Sequence, residues 1–289
     1  VRAMRYYERS TAEKLSVVYR PKGRPGEYAD WAVNLYWGCG HECSYCYAPD
    51  VVKRDRIEFH ANPTPRKGIL EKFEADCAQL EGKLAQPIQM CFTCDPYQPI
   101  EAQERITRRA IEIAHGHGLR VEILTKAGKL AQRDFELLLP GDAFAQTLTF
   151  DTITDSTWWE PRAGLPHERV ANLQEAHRRG IRTWVSLEPV IEPGCALNLI
   201  RQTHEYVDEY RVGVWNYDAR AREIDYKEFG ARVLELFRTL NAKYYLKDDL
   251  RRAMGLKQRV VKKPPGEYDC RKHPLDMQKP TSRRGGRRS

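Results

Sequence analysis

Seven apolar runs of strand length alternate with stretches of helix length along most of this chain. That alternation constrains its fold more than any other feature. The strand candidates are residues 33–39, 88–95, 120–126, 146–151, 183–189, 211–216 and 243–247. Helix candidates lie near 66–84, 102–117, 130–139, 167–179, 197–209 and 226–240. Several strand runs are rich in Val, Ile or Leu and lack clean polar alternation, as expected of strands covered on both faces. Repeated strand–helix units predict an α/β fold with a parallel sheet and right-handed crossovers. Such a sheet is either open and doubly wound or curved into a barrel, and in both cases ligands gather at the carboxyl ends of the strands.

That rule gives weight to the polar residues at which the runs stop: Cys39; Cys94 and Asp95; Thr125 and Lys126; Asp151 and Thr152; Glu188; Asn216; Lys247 and Asp248. The first run ends in Cys39-Gly-His-Glu-Cys43-Ser-Tyr-Cys46. Three thiolates this close select a soft or borderline metal: zinc, copper(I) or an iron–sulfur cluster. Structural zinc wants four ligands, and His41 inside the loop could serve as the fourth. A cubane cluster normally takes four cysteines. Three would leave one iron open, the arrangement by which a catalytic metal admits substrate. A catalytic cluster and a structural zinc loop both remain open on chemistry alone.

Composition narrows the remaining classes. No run of about 18 apolar residues is present, so no membrane-spanning helix is expected. Residues 1–14 are polar, without the apolar stretch of a signal peptide. With eight cysteines and no such signal, a reducing cytoplasm is expected rather than a disulfide framework. The formal net charge of +8 has one location. Residues 257–289 hold eleven basic and three acidic side chains, while residues 1–256 hold 37 of each. The expected organisation is an N-terminal arm (1–30), a core domain (31–256) and a basic, flexible tail (257–289).

Cys-x3-Cys-x2-Cys with Tyr45 before the last cysteine, placed after the first strand of a βα repeat, resembles the radical S-adenosylmethionine (SAM) superfamily. The chain is similar in particular to its spore photoproduct lyase-like branch. The matching stretches include 34–48, Thr93-Cys-Asp-Pro-Tyr-Gln-Pro99, Ile123-Leu-Thr-Lys126, Trp159-Glu-Pro161, Val185-Ser-Leu-Glu-Pro-Val190, Gly213-Val-Trp-Asn216 and Tyr244-Tyr-Leu-Lys-Asp248. The resemblance implies a partial (β/α)6 TIM-like barrel, a [4Fe–4S] cluster and SAM, reductively cleaved to a 5′-deoxyadenosyl radical that abstracts hydrogen from a substrate. By the same resemblance the substrate is nucleic acid, undergoing repair or modification, and the reductant is a flavodoxin or ferredoxin. Modification of a peptide or small molecule is the alternative. A non-catalytic nucleic-acid-binding protein stabilised by zinc or a cluster is another. A monomer is expected.

The resemblance also distributes roles. Cys39, Cys43 and Cys46 would ligate three irons, and Tyr45 would pack near the adenine. Thr93, Cys94 and Asp95 would meet the SAM amino group, a pairing that suits a carboxylate. Lys126 would lie by the SAM carboxylate. Thr152, Glu160 and Glu188 would contact ribose or substrate. For Asp95 and Lys126 a mutual or neighbouring salt bridge is the competing reading. Cys91 and Cys94 are candidate participants in the radical chemistry. The position of the lyase's hydrogen-donating cysteine is filled here by Phe92. Cys77, Cys195 and Cys270 read as isolated thiols, and Trp158, Trp159 and Trp215 as residues of the barrel mouth or of the core. The tail could neutralise phosphates without reading bases.

Overall fold

The computed structural model describes residues 15–257. Seven parallel strands form one sheet in the order in which they occur along the chain: β1 (Trp31–Val33), β2 (Ile88–Met90), β3 (Val121–Thr125), β4 (Ala143–Thr147), β5 (Arg182–Leu187), β6 (Glu209–Val212) and β7 (Tyr244–Leu246). An unreversed order excludes the doubly wound alternative, in which strand order changes direction at a switch point. The first and last strands do not pair, so the sheet is a curled half-barrel open along one side.

Helices cover the outer face, and the two faces of the sheet differ chemically. Ile88, Met90, Val121, Ile123, Phe144, Val185 and Val212 join the large core between sheet and helices. Between them Ala143, Ala145 and Trp184 pack inside the barrel with Tyr28. Arg211 also faces inward. Its guanidinium lies 3.8 Å from the Trp184 ring centroid and 2.8 Å from Glu122. Small residues on β4 make room for Trp184, whose strand partner is Ala145. This explains why β4 escapes a reading of the sequence by apolar runs: Ala143-Phe-Ala-Gln-Thr147 has weak β-propensity, and the strand lies upstream of the expected 146–151.

The first expected strand also divides. β1 ends at Val33, and Tyr36–Trp37 instead pairs antiparallel with Thr64–Pro65 in a separate ribbon. The run 88–95 is a strand only to Met90. Beyond it, the Asn34 side chain accepts the Phe92 and Thr93 N–H groups and draws the chain out of the sheet. Short helices Ala48–Val52, Arg56–Ala61 and Ile153–Trp159, not expected from periodicity, flank the cysteine loop.

Residues 15–28 are part of the barrel rather than an arm beside it. Asp76 accepts the backbone N–H groups of Ser16, Val17 and Val18 at 2.7–3.0 Å, and Tyr19 bridges to Ala32 beside β1. The segment then crosses to the other edge. There Glu27 accepts the Asp248 N–H, Arg24 pairs with Asp249, and Arg211 donates to the Tyr28 carbonyl. The basic tail, with Cys270, lies outside the described residues. Among those residues no helix is long and apolar enough to cross a membrane.

Candidate active site in the half-barrel cavity

One cavity of about 780 Å³ runs along the carboxyl ends of the strands, within the size range of small-molecule sites. Cys39, Cys43 and Cys46 line it together with Tyr45, Thr93, Cys94, Asp95, Lys126 and Glu188.

The cysteine loop is shaped by close backbone approach. Gly38 has φ +81°, and a Cβ there would stand 2.4 Å from the Phe59 carbonyl oxygen, so only glycine fits. Gln98, fully buried, accepts the Gly40 N–H at 2.7 Å and donates to the Gly38 carbonyl. Ser44 N–H donates to the Trp159 carbonyl, and His60 bonds the Cys39 carbonyl. Burial raises all three thiols above their ordinary range. For Cys43, pushed up to about 12, Lys126 partly offsets the effect. Among the described residues no three His, Cys, Asp or Glu side chains are drawn together as ligands of a single ion. Three thiols of the loop line the cavity. Three cysteine ligands would suit a cubane cluster with one iron left open. His41 also lines the cavity, with its Nδ1 facing Asp95 at 3.4 Å.

Asp95 is occupied by the protein itself. Its Oδ1 accepts the Tyr97 N–H and the Thr125 hydroxyl, and its Oδ2 accepts the Lys126 N–H at 2.7 Å. Burial alone would raise its pKa, but His41, Thr125 and the Lys126 N–H hold it down at about 2. Of the competing salt-bridge reading, the neighbouring contact to His41 is present at 3.4 Å, while no mutual pair with the Lys126 side chain forms among the described residues. That ammonium lies 5.6 Å from the Tyr45 ring centroid and forms no ion pair among the described residues.

Two residues expected at the ligand are placed elsewhere. Thr152 lies outside the cavity because β4 ends five residues before it. It is the exposed N-cap of Ile153–Trp159 and bonds Asp155, so its assignment to the cofactor is corrected. At the end of β4, Thr147 lines the cavity instead. Glu160 is buried against Arg169 at 2.5 Å and receives the Tyr45 hydroxyl. It fixes the tyrosine rather than contacting a ligand. Glu188 does face the cavity, gripped by the Tyr28 hydroxyl, Asn216 and Lys247. Cys91 and Cys94 both line it, hydrogen-bonded to each other, with Cys91 at φ +73°. Cys77 is in the core, and Cys195 bonds Asp151. Trp215 lines the cavity, whereas Trp158 is exposed.

Reasoning from sequence missed Tyr28, Lys22, Arg24, Tyr47 and Tyr217, all of which line the cavity. The first three lie on the segment read as an arm, where polarity and Pro/Gly content conceal packing. Tyr47 stood within a matching stretch but without a role.

No protein-family model matches the chain. Two uncharacterised proteins are 26% identical: one from Acidianus two-tailed virus over 192 residues, and one from Methanocaldococcus jannaschii over 173. The matched segments span about six-tenths of this chain (61% and 59%) and of those relatives (61% and 63%). Among solved structures, a spore photoproduct lyase variant superposes with TM-score 0.62 at 12% identity, covering 81% of this chain and 79% of that one. A variant with bound AdoMet and dinucleoside spore photoproduct gives 0.59 at 14% identity, covering 81% and 79%. Streptococcus suis SuiB bound to S-adenosylmethionine gives 0.56 at 14% identity, covering 77% and 51%. The fold is thus the α/β partial barrel shared by spore photoproduct lyase and SuiB.

Proposed function

We propose that this chain is a radical SAM enzyme acting on nucleic acid. The observation that carries the enzyme assignment is the placement of Cys39, Cys43 and Cys46 on the wall of a cavity that also presents the unpaired Lys126 ammonium. The three thiolates would hold a [4Fe–4S] cluster, and a SAM molecule would occupy the neighbouring space. Bound there, the pair would supply a 5′-deoxyadenosyl radical for hydrogen abstraction.

The chain's own residues supply the rest. Lys126 offers a charge-assisted hydrogen bond to the SAM carboxylate. Asp95 positions Lys126 by holding its backbone, and its carboxylate has little capacity left for the SAM ammonium. Tyr45, fixed by Glu160 and Thr149, presents its ring to the cavity for packing near the adenine.

Nucleic acid as substrate, with repair or modification as the reaction, draws support from the fold shared with spore photoproduct lyase and from the basic tail. A low-potential flavodoxin or ferredoxin would be the electron source. The lyase's particular chemistry is less well supported, because Phe92 stands where its donor cysteine is expected. Anaerobic reconstitution tests the metal assignment. About four iron and four sulfide per chain are expected, with loss in Cys43→Ala. Stoichiometric zinc without iron would contradict it.

A further inference from the structure

The charged residues lining the cavity leave an uneven remainder. Glu188 is matched by Lys247, Arg24 by Asp249, and Asp95 is saturated by neighbours. Among the described residues, two lining side chains form no ion pair, and both are cationic: Lys126 near the cysteine loop and Lys22 on the crossing segment. Lys126 is half-buried and Lys22 is exposed, so each ammonium is available to an anionic ligand. The proposed SAM carboxylate would pair with Lys126. Lys22, on a different segment, is available to a second anion.

Beside Lys22 in the sequence, Arg24 leads to an aromatic shelf. Tyr47 and Tyr217 stack at 5.9 Å between centroids, with 23° between their planes. Arg24 lies 5.1 Å from the Tyr217 ring centroid and donates to its hydroxyl at 3.1 Å. Tyr217 is 67% exposed and adopts φ +67°, a costly conformation for a bulky residue that persists where surrounding structure holds it. The ring, contacted by Tyr47 and Arg24, leaves two thirds of the residue's surface exposed to meet another planar ring.

We propose that Tyr217, backed by Tyr47 and Arg24, is a stacking platform for a nucleobase, and that Lys22 takes the phosphate attached to it. The ligand class is a single-stranded or extruded nucleotide. The proposal rests on the nucleic-acid reading above and gives that reading a site in the barrel itself, independent of the tail.

Fluorescence anisotropy with a short labelled single-stranded oligothymidylate tests it on the full chain, alongside the same oligomer lacking bases and an acidic peptide of equal charge. The tail contributes alike to every variant. The parent protein should prefer the base-bearing oligomer. Tyr217→Ala should weaken that binding about 5- to 100-fold, from the usual worth of one stacked base, and abolish the preference, while Tyr217→Phe keeps both. Lys22→Ala should retain the preference and reduce the log K versus log salt slope by about 0.7. An unchanged preference in Tyr217→Ala of normal melting temperature would overturn the proposal, as would tighter binding of the acidic peptide. SAM cleavage is measured separately. Base-dependent binding without cleavage would contradict the enzyme reading and leave the platform standing. Cleavage without it would do the reverse.

Discussion

The Asp95 carboxylate accepts the Lys126 backbone N–H at 2.7 Å, yet the Lys126 ammonium is not its partner. The two residues, similar in placement, therefore separate in structure: one holds the ends of β2 and β3 together, and the other presents its ammonium to the cavity. Asp95→Ala should cost at least about 3 kcal/mol in urea unfolding, because three buried donors lose their acceptor at about 1–3 kcal/mol each. Lys126→Ala should cost about 1 kcal/mol or less but weaken SAM binding roughly 10- to 100-fold by calorimetry. Equal effects of both changes on stability would refute this division.

Glu160 and Arg169 form a buried pair, with Arg169 also donating to the Gly164 and Thr147 carbonyls. Glu160→Ala strands the guanidinium and should destabilise by about 3–5 kcal/mol. Replacing both residues by apolar ones should recover part of that loss. If Glu160 contacted ligand instead, the single change would alter SAM affinity and leave the unfolding midpoint near that of the parent.

Thr152→Ala removes a helix cap and should cost about 1 kcal/mol. SAM affinity should not change, since the residue lies outside the cavity. Weakened SAM binding at unchanged stability would restore the ligand role inferred from sequence.

Asp134 carries the pH prediction. Burial raises its pKa, but Arg133, Arg108 and the Tyr97 hydroxyl outweigh burial and hold it below 3.8. The unfolded chain then binds more protons in this window, so the contribution is complete above about pH 4 and is lost as pH falls through the folded value. The melting temperature should fall on acidification below pH 4, and less steeply in Asp134→Asn. Parallel curves for the two proteins would rule out this source.

Much of this was legible in the sequence for an identifiable reason. Strands such as 121–125 and 182–187 bury apolar residues on the helix side, so hydrophobic runs mark them. The thiols of the cysteine loop have few roles at that spacing. What stayed hidden depends on contacts distant in sequence. Ala143–Thr147 pairs with strands on both sides but carries small residues beside Trp184, so no apolar run marks it, and the inferred site shifted from Thr147 to Thr152. Glu160 looked like a ligand contact until Arg169 stood beside it. Tyr28 reaches Glu188 across 160 positions, from a segment whose composition suggests a loose arm.

SAM cleavage is the most direct test. The chain, reconstituted anaerobically and reduced with dithionite, should release 5′-deoxyadenosine and methionine from SAM. Cys43→Ala, folded to the same circular dichroism spectrum, should release neither. Intact SAM in the presence of a fully loaded cluster, or equal release by Cys43→Ala, would contradict the assignment.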